Sequence, residues 1–62
     1  VADPTVVAAA LTSRGEALVA VGDPTAAREP WRRALAILDG AGDPAGERVR
    51  ALLAGLRRSA GG

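Results

Sequence analysis

The sequence predicts an all-α fold of three antiparallel helices, and three observations carry that expectation. Asp-Pro recurs at Asp3-Pro4, Asp23-Pro24 and Asp43-Pro44, with a spacing of 20 residues each time. An Asp side chain accepts hydrogen bonds from the open N–H groups of a first helical turn, and Pro fits the first helical position because no partner is needed there. Gly22 and Gly42 stand just before the second and third Asp-Pro pairs, where a left-handed residue closes the preceding helix. The apolar content is Ala, Leu and Val with one aromatic residue, Trp31, which suits close helix packing and not a β-sandwich. Connections as tight as Gly-Asp-Pro force neighbouring helices to run antiparallel.

The first helix is expected from about Pro4 to Val21. Val7, Leu11, Leu18 and Val21 share a stripe that Ala10 and Ala17 widen, interrupted by Arg14. The Arg14 stem is expected along the seam, its guanidinium reaching water or a carboxylate such as Glu29. The second helix is expected from Pro24 to about Leu38, ended by Asp39 and Gly40. Ala27, Trp31, Ala34, Leu35 and Leu38 form one apolar face, and Ala26, Pro30, Ala34 and Ile37 a second, so this helix should lie between two neighbours. Pro30 sits inside it, where an interior Pro costs about 3 kcal/mol. A kinked continuous helix is favoured over a break because the faces stay in phase across Pro30. The third helix is expected from Pro44 to about Arg58, with Val49, Leu52, Leu53 and Leu56 at i, i+3, i+4 and i+7. Ser59 to Gly62 reads as a disordered tail.

Residues 1–62 therefore make a single domain. A core this small supplies no more than about 3–5 kcal/mol. There is no Cys and no His, so neither disulfides nor the commonest metal ligands reinforce it, and adjoining repeats or self-association are the expected help. Val1 in place of an initiator Met points to a fragment or a processed product.

The same inventory bears on chemistry. Without His, Cys, Lys or Tyr, only carboxylates, hydroxyls and Arg remain, and Ser13 has no base nearby. Asp39, Asp43 and Glu47 read as cap and surface residues more readily than as a cation loop, and Gly40, Gly42 and Gly46 lack the Lys and strand of a phosphate loop. No catalytic residue, cofactor or metal ligand is assigned. The net charge is +1, all eight basic residues are Arg, and Arg28, Arg32 and Arg33 lack the interleaved aromatics of a base-stacking surface. A protein or peptide is thus the expected partner, and nucleic acid is not favoured. No apolar run is long enough to span a membrane, and a cytoplasmic location is expected.

Leu11, Gly15, Leu18, Gly22, Asp23, Ala27, Trp31, Ala34 and Leu35 follow a spacing that resembles the tetratricopeptide repeat, a helix-turn-helix unit of about 34 residues. The match covers residues 8–41, and residues 44–58 resemble the cap helix that closes such an array. Arg14 and Asp39 depart from the usual Leu and Pro of the family. The stretch from Val21 to Leu56 resembles C-terminal repeats of actinobacterial antibiotic-regulatory activators and related signal-transduction ATPases, in which repeats serve regulatory contacts while DNA binding and nucleotide hydrolysis lie elsewhere. An Ala, Gly, Arg and Pro bias without Lys fits a GC-rich genome. The resemblance implies a non-enzymatic interaction module of a bacterial regulator, with Thr12, Ser13, Glu16, Val19 and Ala20 on the groove side of the first helix. The alternative is a small self-associating helical module that docks through the Leu52, Leu53 and Leu56 face.

Overall fold

The computed structural model describes the backbone of residues 3–61 and side chains through Arg58; Gly62, part of the expected tail, lies outside the described residues. Three helices follow one another: α1 (Pro4–Ala20), α2 (Pro24–Ala41) and α3 (Ala45–Gly61). Each start follows the anticipated chemistry. Asp3 Oδ1 accepts from the Thr5 N–H at 2.9 Å, Asp23 Oδ1 from Ala26 at 3.2 Å and Asp43 Oδ1 from Ala45 at 2.9 Å.

The two turns are built alike. Gly22 and Gly42 have φ of 88° and 67°, the left-handed region open to Gly at little cost. The N–H of Asp23 reaches the Leu18 carbonyl at 2.9 Å and that of Gly22 the Val19 carbonyl at 3.0 Å. Asp43 to Leu38 and Gly42 to Asp39 repeat the pattern at 2.9 and 3.1 Å. In each turn one Asp therefore closes the outgoing helix with its N–H and opens the next with its carboxylate.

Three helix ends differ from expectation. α2 runs through Asp39 and Gly40 to Ala41, because Gly42, not Gly40, takes the left-handed conformation. α3 begins at Ala45, one residue after Pro44, and its backbone stays helical through Gly61 where a tail was expected from Ser59. Once a helix is under way each added residue gains a hydrogen bond without a new nucleation cost, so composition alone does not stop it. Pro30 lies inside an unbroken α2, which agrees with continuity over a break.

α2 packs against both neighbours. Its central core is Ala27, Trp31, Ala34 and Leu38, joined by Ala8 of α1 and Val49 of α3, with Leu52, Leu53 and Leu56 packed at its edge. The Cα envelope measures 38 × 19 × 12 Å, so α1 and α3 flank α2 in a shallow curl and not in two full layers. A slab this thin keeps much of every helix in water, which is why the core is small.

The inward face of α1 keeps Leu11 and Leu18 of the expected stripe but not the rest of it. Ala8 and Gly15 are buried, Leu11, Thr12 and Leu18 are half-buried, and Val7, Ala10, Ala17 and Val21 face solvent, Val21 at 77% exposure. The cause is Trp31. Its ring lies over Gly15, where an added Cβ would overlap the indole, and its Nε1–H donates to the Thr12 carbonyl at 2.9 Å. An indole in a core needs both a flat bed and a hydrogen-bond acceptor, and only the Thr12–Gly15 side of α1 offers the two together. Arg14 lines the outer α1–α2 cleft with Glu29, yet no ion pair among the described residues joins them.

Candidate functional site

α1 and α3 flank α2 and approach each other at one of its faces, where a cleft of about 260 Å³ opens between them. Leu38 and Val49 are its buried lining residues and make an apolar floor. Its walls carry Thr5, Ala9, Ser13 and Glu16 from α1 and Ala45 and Arg48 from α3, all exposed. Small side chains at positions 9, 13 and 45 leave room above the floor, while the charged residues stand at the rim.

The electrostatics of the rim are simple. Arg48 approaches Glu16 at 3.9 Å across the cleft, with side chains 73% and 49% exposed. So open and long a pair contributes at most a few tenths of a kcal/mol and does not lock the cleft shut. Thr12 is half-buried at the base of the α1 wall, where its hydroxyl donates to the Ala8 carbonyl at 2.8 Å. That proton is committed to the helix, leaving the Thr12 oxygen as an acceptor.

Of the five residues expected on the binding side, the structure brings Thr12, Ser13 and Glu16 into this cleft and leaves Val19 and Ala20 out of it. Both are exposed further along α1, where no α3 residue beyond Val49 lines an opposing wall. Sequence reasoning missed Thr5, Ala9, Ala45, Arg48 and Val49. The paired Gly-Asp-Pro turns signal only that two successive reversals return α3 to the side of α1; that its residues 45, 48 and 49 are the ones to face α1 follows from the packing.

The acidic residues weighed as a cation loop are engaged otherwise. Asp43 caps α3, and Asp39 and Glu47 both accept from Arg50, Asp39 at 3.0 and 3.3 Å and Glu47 at 2.8 Å. Among the described residues no group of three or more His, Cys, Asp or Glu is arranged to hold a metal ion, and no helix is long and apolar enough to cross a membrane. No family model matches the chain, and no curated protein or solved structure is significantly similar to it.

Proposed function

We propose that this chain is a tetratricopeptide-like module that binds a protein segment in the α1–α3 cleft, with no chemistry of its own, as part of a bacterial transcriptional or signalling regulator. The observation that carries this reading is the cleft itself. Two helices presented side by side on a third make a trough with an apolar floor, small-residue walls and a polar rim, which suits a short helix or extended segment whose side chains reach inward. The hairpin of α1 and α2 would be the repeat unit and α3 the cap helix that closes it, in line with the spacing of Gly15, Ala27, Trp31 and Ala34.

Selection of peptides from a random displayed library against the folded chain tests the reading. Selected peptides should bind competitively with one another, lose binding when Ala9→Arg or Ser13→Arg fills the trough, and keep it when Val21→Arg changes a residue outside. Peptides indifferent to both trough substitutions would discard the cleft as the binding surface.

A second reading, self-association, is favoured by one observation but on a different face from that expected. Leu52, Leu53 and Leu56 pack at the core edge, whereas Val6, Val7 and Val19 of α1 and Val21 just after it are, among the described residues, the large apolar residues exposed to water. Sedimentation over a range of concentrations decides: a dimer abolished by Val6→Lys supports α1 as the contact, and a monomer throughout removes this reading.

A further inference from the structure

We propose that a second cleft, between α2 and the later part of α3, is a binding site for a phosphoryl group. Arg28 and Arg32 of α2 and Arg57 of α3 surround Leu53 there, around a space of about 330 Å³ that no carboxylate lines. Helix geometry brings them together. Arg28 and Arg32 stand one turn apart on one face, and the reversed course of α3 places Arg57 across from them.

Elsewhere among the described residues, two arginines are neutralised by carboxylates. Arg50 holds Asp39 and Glu47, and Arg48 reaches Glu16. No ion pair among the described residues involves Arg28, Arg32 or Arg57. Glu29 lines a neighbouring cleft with Thr25 and Arg33, which shares Arg28 and Arg32, and it does not line the space before Arg57 and Leu53. Three exposed like charges thus gather around half-buried Leu53, an arrangement that a bound anion relieves.

The number of forks selects the anion. One guanidinium satisfies a carboxylate with two parallel bonds, whereas three guanidinium groups from two helices offer donor forks to the three terminal oxygens of a phosphoryl group and more than neutralise its charge. This cleft shares no lining residue with the α1–α3 trough, so the two sites stand or fall separately.

NMR titration of the whole chain with sodium phosphate at constant ionic strength tests the site. The expected result is saturable shifts confined to the amides and guanidinium groups around Arg28, Arg32, Leu53 and Arg57, with acetate failing to saturate. Arg32→Ala and Arg57→Ala should each weaken phosphate binding about tenfold, while Arg14→Ala, which removes the same charge elsewhere, changes it less than about twofold. Circular dichroism checks that each variant keeps its helix content; should one fail, the other still decides.

Two further titrants identify the source. A phosphoserine peptide binding more tightly than phosphate assigns the site to a modified protein, and equal affinity assigns it to the free phosphoryl group. Shifts that do not saturate, acetate matching phosphate, or an equal loss in Arg14→Ala would overturn the proposal. So would a single-stranded oligonucleotide that binds through these arginines while phosphate does not.

Discussion

Trp31 and Gly15 are one structural decision made by two residues. The indole is 3% exposed, donates its only polar hydrogen to the Thr12 carbonyl and lies where any side chain at position 15 would stand. Gly15→Ala gains about 1 kcal/mol of helix propensity but displaces the ring from both its bed and its acceptor, an overpacking cost of about 1–3 kcal/mol or more. The expected outcome is a lower thermal midpoint together with a red-shifted tryptophan emission. An unchanged spectrum with a raised midpoint would show that the ring does not rest on this glycine. Trp31→Ala should go further, since a loss of about 3–5 kcal/mol equals the whole stability expected of a core this size.

Glycines at the turns and inside the helices separate into opposite classes. Gly22 holds a φ of 88° and has open space where a Cβ would go, so Gly22→Ala is costly through backbone strain alone, by about 1–2 kcal/mol. Gly40 also has open space but lies within α2 at ordinary helical angles, so Gly40→Ala should stabilise by about 1 kcal/mol. Chemical denaturation of the two variants side by side should move the midpoint in opposite directions.

Pro30 is the other element-scale case. Replacing it by Ala restores an N–H donor to the Ala26 carbonyl and removes the ring's crowding of that carbonyl, worth about 3 kcal/mol in an ordinary interior. The loss is about two buried methylenes, roughly 1.6 kcal/mol. Pro30→Ala should therefore raise the melting temperature, by about 4–8 °C for each net kcal/mol. A lower melting temperature would show that proline at position 30 is required for α2 to meet both neighbours.

At the scale of the whole molecule, stability depends on few residues because the helices form a thin curl. Leu38 serves several parts at once: it is buried in the core, floors the α1–α3 cleft and supplies the carbonyl that closes the second turn. Leu38→Ala is expected to cost about 2–5 kcal/mol and to melt all three helices together, leaving a chain with little helix content at room temperature. Loss of α3 alone, with Trp31 emission retained, would show instead that the α1–α2 hairpin is an independent unit. Surface changes such as Arg58→Ala should stay within about 0.5 kcal/mol.

Helix starts, and the left-handed Gly22 and Gly42 that close α1 and α2, were legible from single residues because their chemistry is local, whereas the end of α3 was not. An Asp at a helix start finds its N–H partners within three residues, and a Gly taking positive φ needs no distant contact. The two apolar faces of α2 and the Val49 to Leu56 face of α3 were legible too, since charged residues mark their outer sides. α1 gave no such contrast. Its Ala, Val and Leu residues surround the whole helix, so periodicity found Leu11 and Leu18 but also chose Val7 and Val21, while packing added Ala8 and Gly15.

By itself, then, the sequence determined an all-helical chain cut into three segments at Gly22-Asp23 and Gly42-Asp43. Tertiary structure alone decided which side of α1 faces inward, that Ala45, Arg48 and Val49 complete a cleft with Ser13 and Glu16, and that Arg57 joins Arg28 and Arg32. Capping energies act over a few bonds and are written in adjacent residues. The juxtapositions depend on where one indole finds room and an acceptor on a helix 19 residues away from its hydrogen-bond partner, which no local pattern encodes.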